Sequence, residues 1–173
     1  MRTITIAEIT TEAFAPYGDL LHAPATPPRQ DQAGTMQNSR PTARANLALI
    51  QSEPMDRLMP LRRLERHPHS SQAFLPLSVE AYVVVVAPDR DGSPDEAKIQ
   101  AFRVPGHAGI NYRAGAWHAH MMTLQAPGTF AMLVHEDGTE VDCVFASIEP
   151  LTVALPRTAQ ESGRRVHDLE SLR

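Results

Sequence analysis

Proline and glycine divide this chain into pieces too short for long helices. Fifteen prolines and nine glycines fall at short intervals along 173 residues, and each marks a place where regular structure tends to stop. Between them lie brief runs: TITIA, NLALIQ, LRRLERH, QAFLPL, AYVVVVA, KIQAFRV, GINY, FAMLVHE, VDCVFASI and LTVAL. Val, Ile, Phe and Tyr dominate several of these, and such side chains fit a pleated, half-buried surface. Turn-forming clusters separate them at PDRDGSPD (88–95), VPGHAG (104–109), APG (126–128) and EDGTE (136–140). Many short strands with regular turns predict an all-β sandwich or barrel. Only TTEAFAPYG near the start reads as helical, with Thr11 as its cap and Gly18 as its stop.

The length suits one domain over residues 1–173, with a sizeable core. Residues 23–45 are polar and rich in proline, and are expected to form a long loop or a lid. Residues 158–173 are expected to be a polar C-terminal tail. The formal charge is −4 and no basic run occurs, which argues against a nucleic-acid or anionic-membrane partner. The longest apolar run, YVVVVAP, is too short to span a bilayer, and MRTITIAEITTEAF does not read as a secretory signal. The single cysteine, Cys143, excludes a disulfide framework and points to a reducing, cytoplasmic setting. It sits in an apolar run, where a thiol is usually an inert small hydrophobe.

Chemistry-bearing residues gather in two places. In RHPHSSQAFLPL, His67 and His69 are spaced i, i+2, and Gln72 follows. On a strand that spacing turns both imidazoles to one face. In GINYRAGAWHAHMMTL, His118 and His120 repeat the spacing, with Tyr112 and the only tryptophan, Trp117, beside them. A single such pair is more often a surface feature. Two pairs at strand spacing suit an imidazole site for a transition metal. His22, His107, His135 and His167 have no such neighbours and read as solvent or core histidines. Glu80 stands before a strand as a turn carboxylate or an acid/base group, and Arg103 inside IQAFRV binds a carboxylate or pairs with an acid.

These motifs carry a resemblance. The two histidine motifs resemble those of the cupin superfamily: Gly115-Ala-Trp-His118 matches the core of the second motif, with Arg113 where a proline is usual, and the glutamate of the first motif has no clear match. A closer likeness is to the ureidoglycolate lyase family, through EAFAPYGDLL (12–21), MQNS (36–39), LERHPHSSQAFLPL (64–77), EAYVVVVA (80–87), AFRVPGHAGINYRAGAWHAH (101–120) and DCVFASI (142–148). The resemblance implies a cupin-like double-stranded β-helix with one or two short helices. It also implies a homodimer and a divalent transition metal, nickel ahead of zinc or manganese, with no organic cofactor. The implied reaction eliminates urea from ureidoglycolate to leave glyoxylate, in allantoin and purine degradation. Another cupin enzyme acting on a small hydroxy acid or sugar, or a non-catalytic small-molecule-binding cupin, are the alternatives.

Ureidoglycolate carries a carboxylate, a hydroxyl and a ureido nitrogen on one carbon. Its cleavage needs help with loss of the hydroxyl proton, an acid for the departing nitrogen, and a clamp for the carboxylate. On the resemblance, His67, His69, Gln72 and His118 would hold the metal. His118, His120 and Glu80 are the acid and base candidates. Asn38 and Ser39 are expected at the urea end, Tyr112 and Trp117 as pocket walls, and Arg103 at the carboxylate.

Overall fold

The computed structural model describes residues 2–26 and 28–156, and the expected tail at 158–173 lies outside them. The chain opens with β1 (Arg2–Thr5) and β2 (Ala7–Glu8), then α1 (Thr11–Phe14) and β3 (Gly18–His22). After a long connection come β4 (Arg44–Ser52), β5 (Leu58–Arg66), β6 (Gln72–Ser78) and β7 (Ala81–Ala87). A small hairpin of β8 (Asp89–Arg90) and β9 (Ser93–Pro94) leads to β10 (Gln100–Pro105), β11 (Ala108–Tyr112), β12 (Trp117–His118) and β13 (Met122–Thr123). The last strands are β14 (Gly128–Glu136) and β15 (Val144–Ala154).

The expected all-β architecture is present. One sheet runs β1-β15-β5-β12-β7-β10-β2, with β13 added alongside β7. Its two edge strands are consecutive in the chain, joined through Ile6. β1 pairs with β15 in parallel, and β2 pairs with β10 in parallel, so the N-terminal segment nearly closes this sheet into a barrel. The second sheet, β3-β11-β6-β14-β4, packs against one face of the first. The whole is consistent with a cupin-like β fold.

Strand β7 shows why the sequence folds this way. AYVVVVA is buried along its entire length. Val83 and Val85 enter the barrel core with Ile6, Leu64, Trp117 and Val153. Tyr82, Val84 and Val86 face the other way, into the core between the sheets with Phe74, Phe102, Tyr112 and Phe130. A strand covered on both faces needs an unbroken apolar run rather than an alternating one.

Several details differ from expectation. The helix is a single turn capped by Thr10, whose side chain accepts from the Ala13 N–H, rather than by Thr11. The helix ends at Phe14, well before Gly18, with Ala15 as its C-cap still in helical backbone ahead of Pro16. Gly18 instead opens β3, where an added Cβ would lie 2.0 Å from the Asn111 carbonyl oxygen. VDCVFASI and LTVAL, separate in the sequence pattern, form one strand, β15, bent by a register shift between Ser147 and Leu151.

Candidate active site

The site lies where the end of β5 and strand β12 in the barrel sheet meet the adjoining ends of β6 and β11 in the other sheet. His118 pairs with Glu65 on one side and Val86 on the other. Directly paired residues project to the same face, and His118 Nε2 stands 3.5 Å from Glu65 Oε1. Tyr112 pairs with Gln72 across the facing sheet. The Tyr112 ring stacks on His118 with centroids 4.2 Å apart. Gly115 makes the turn that delivers His118: its φ of 81° is costly for other residues, and its N–H donates to the His67 carbonyl at 2.8 Å.

Both histidines are oriented by backbone. His67 Nδ1 lies 2.7 Å from the Asp142 carbonyl, and His118 Nδ1 lies 2.9 Å from the Ala116 carbonyl. A carbonyl only accepts, so each Nδ1 carries the proton and each neutral ring keeps its lone pair on Nε2. Those Nε2 atoms, together with Gln72 Oε1 and the Tyr112 hydroxyl, are buried without a hydrogen-bond partner. Buried polar atoms are almost always satisfied, and a group of orphans around one space signals a bound ion or ligand. One ligand atom from each of Glu65, His67 and His118 falls within 4.8 Å of the others, so these three side chains could hold a metal ion.

The electrostatics agree. Burial raises the Glu65 carboxyl's pKa, but the nearness of His118, then of His67 and His120, outweighs it and leaves the pKa below its ordinary value. Burial, then the nearby His118, hold His67 below the usual histidine pKa, against the pull of the Asp142 carbonyl. For Glu65 and His67 the metal-binding forms, carboxylate and neutral imidazole, are therefore the favoured ones. Burial pushes Tyr112 well above its ordinary value, so the phenol stays protonated. Burial likewise raises Cys143 to about 11, and it is a thiol at neutral pH.

Glu65, His67, Gln72, Tyr112 and Cys143 line a cavity of about 200 Å³, walled also by Phe74, Met121 and Met132, with His118 stacked on Tyr112 at its edge. It adjoins an open cleft of about 600 Å³, and Glu65, Ala119 and His120 line both. A model of the family described as ureidoglycolate lyase matches residues 1–154. This chain belongs to the ureidoglycolate lyase family. It is 34% identical over 152 residues to a protein named ureidoglycolate lyase from Stutzerimonas stutzeri (strain A1501), covering 83% of this chain and 88% of the relative. Relatives of the same name from Pseudomonas putida (strain W619) and Pseudomonas entomophila (strain L48) are 33% and 32% identical, each over 83% of this chain and 90% of its own length.

This ureidoglycolate lyase family member gathers some of the residues marked in its sequence and separates others. His67, Gln72, Tyr112 and His118 come together, and the exposed His120 stands at the mouth. His69 does not join them. β5 ends at Arg66 and the chain turns at Pro68, so the i, i+2 parity is lost and His69 Nδ1 meets the Ser39 hydroxyl at 3.0 Å. Asn38 and Ser39 lie against that loop, Asn38 bridging Ser70, rather than on the cavity wall. Trp117 is one residue out of phase with His118 and enters the barrel core, its indole N–H donating to Asp89 at 2.9 Å. Arg103 pairs with Glu8 at 3.3 Å, away from the cavity. Glu80 is exposed in the turn before β7, at the opposite end of that strand from Val86, the partner of His118. Glu65 is the site residue the sequence reading passed over. It precedes His67 by two residues in LERH, whereas the cupin pattern places its acid after the histidines.

Proposed function

We propose that this protein is a ureidoglycolate lyase, which eliminates urea from ureidoglycolate and leaves glyoxylate. The observation that carries the reading is the set of unpartnered ligand atoms, His67 Nε2, His118 Nε2 and Gln72 Oε1, beside Glu65 in a cavity sized for a small polar molecule. Glu65, His67 and His118 would hold a divalent transition metal, with Gln72 beside them. Nickel is the ion we favour on the likeness to the ureidoglycolate lyase family, with zinc or manganese as other candidates; imidazole suits nickel and zinc alike. Such an ion supplies Lewis acidity that favours loss of the substrate's hydroxyl proton.

The chain's own groups supply the rest. Tyr112 stays protonated and presents a hydroxyl to the cavity, where it hydrogen-bonds a substrate oxygen that gains negative charge. His120, exposed at the mouth, can accept the proton lost by the hydroxyl and hand a proton to the departing ureido nitrogen, so the cleavage needs no net proton. The apolar walls of Phe74, Met121 and Met132 limit water around the carbinol carbon. Glu80, Asn38, Ser39, Trp117 and Arg103 have no part in this reading. The protein works as a homodimer in the cytoplasm. Supporting this are the leucines exposed on one sheet and the single free thiol; among the described residues no helix is long and apolar enough to cross a membrane.

The test is incubation with racemic ureidoglycolate, with and without a chelator. Urea with glyoxylate is expected, and chelation should suppress both. Ammonia in place of urea would replace the elimination with amide hydrolysis, and no product from the wild-type protein would overturn the reading.

A further inference from the structure

The cavity around the histidines is lined by one carboxylate, Glu65, and by no lysine or arginine. Ureidoglycolate brings a carboxylate of its own, and a fixed positive charge at the rim would receive it. The sheet register puts an arginine there. Arg63 precedes Glu65 by two residues on β5 and so shares its face. β15 repeats the relation, with Phe145 opposite Glu65 and Ser147 opposite Arg63. Two residues advance about 7 Å along a strand, within reach of an arginine side chain laid along the sheet.

The side chain is held ready for such a role. The Arg63 guanidinium carbon sits 4.9 Å from the centre of the Phe145 ring, so the planar head rests on an aromatic platform and its N–H edge stays free. Its charge is felt at Cys143, which lines the inner cavity. Arg62, Arg63, Glu65 and His120 line the outer cleft together, and of the two arginines Arg63 is the one stacked on Phe145. Arg40, Arg66 and Arg103 all have carboxylate partners. Among the described residues, Arg63 has none.

We propose that Arg63 is the substrate's carboxylate clamp, with Phe145 beneath its guanidinium and His120 beside it at the mouth. This inference rests on the lyase reading. The carboxylate docks at the rim in a two-pronged contact, which directs the carbinol carbon inward toward Glu65, Tyr112 and His118. The same contact receives the carboxylate of glyoxylate.

The experiment compares the wild-type protein with Arg63→Met, Arg63→Lys and the neighbouring Arg62→Met, each checked for an unchanged melting temperature. Substrates are ureidoglycolate and its uncharged carboxamide analogue. Arg63→Met should raise KM for ureidoglycolate about tenfold or more, the usual weight of a hydrogen bond to a charged group, with a much smaller change in kcat. Arg63→Lys should recover part of the loss, and Arg62→Met, at a residue that lines the same cleft, should raise KM much less than Arg63→Met. The carboxamide, already a poor substrate, should lose nothing further in Arg63→Met. A KM within twofold of wild type, or an equal loss on both substrates, overturns the clamp. Titration with glyoxylate separates this failure from that of the lyase reading. If the wild-type protein releases no urea, the lyase reading falls, and equal glyoxylate affinity in wild type and Arg63→Met then removes the clamp as well.

Discussion

His67 and His118 illustrate how little freedom a binding residue can have. Each is buried, and each donates its Nδ1–H to a backbone carbonyl, so only Nε2 is left to join Glu65 in holding an ion. Outer hydrogen bonds of this kind fix tautomer and orientation, and losing one typically costs ten- to a hundredfold in metal affinity or activity. Removing a ligand should cost more. His118→Ala is expected to lower urea release by more than about a hundredfold and to weaken nickel binding in calorimetry, with the Tyr112 ring also losing its stacking partner. Glu65→Gln keeps the shape and removes the charge, so it should fold normally and bind the ion less tightly. His67 also imposes a pH dependence on stability. Its folded pKa is lowered while the unfolded chain titrates near 6.5, so below that pH the unfolded state binds the proton first. The His67 contribution is therefore intact above about pH 6.5 and is lost as pH falls toward the folded pKa. Urea denaturation of the metal-free protein at pH 7.5 and 5.5 should show a larger acid loss for wild type than for His67→Gln.

At the scale of elements, the connection from β3 to β4 and the turn after β14 act together on His67. Arg40 pairs with the Asp137 carboxylate at 2.8 Å and also with that of Asp142. Asp142 in turn accepts from the Asp137 and Gly138 N–H groups, and its carbonyl meets His67 Nδ1. Gln37 strengthens the same strap: its N–H donates to the Ser71 hydroxyl and its Oε1 accepts from the Ala114 N–H. Arg40→Ala should thus loosen the Asp142 carbonyl without touching the cavity. The expected result is metal affinity lowered about tenfold and a lower melting temperature. Arg40→Lys should fail to restore either, since a point charge cannot reproduce a fork shared by two carboxylates. Little of this strap is legible in the sequence, because residues 23–45 read only as polar and proline-rich. What was legible followed strand parity. His118 and Tyr112 sit on regular strands, and their faces follow from the pattern. Parity applied past the end of β5 misplaced His69, and parity left unapplied misplaced Trp117. Glu65 was within its reach, two residues before His67.

For the whole molecule, composition and turn spacing gave the all-β class, but the order of strands depends on pairings far apart in sequence, such as β1 with β15. No local pattern records those. The outer face of the five-stranded sheet carries a feature that is clear only once the order is known. Leu133 lies between Leu47 and Ala73, and Ala131 lies between Leu49 and Leu75. Leu47, Leu49, Leu75 and Leu77 are 68%, 73%, 48% and 59% exposed. Small residues between large ones leave a groove, of about 230 Å³, bounded by Leu21, Met36, Leu47, Leu75 and Leu133. A monomer seldom leaves an apolar surface of this kind open to water. A second copy related by a two-fold axis would bring the same leucines against one another, and burying each one fully stabilises by about 1.5–3 kcal/mol. If this face joins two copies, placing charge at its centre should separate them. Leu49→Asp combined with Leu75→Asp is expected to shift the mass seen by light scattering from dimer to monomer, with far-ultraviolet dichroism unchanged because both side chains already face out. A dimer that survives the double substitution would move the interface to another surface.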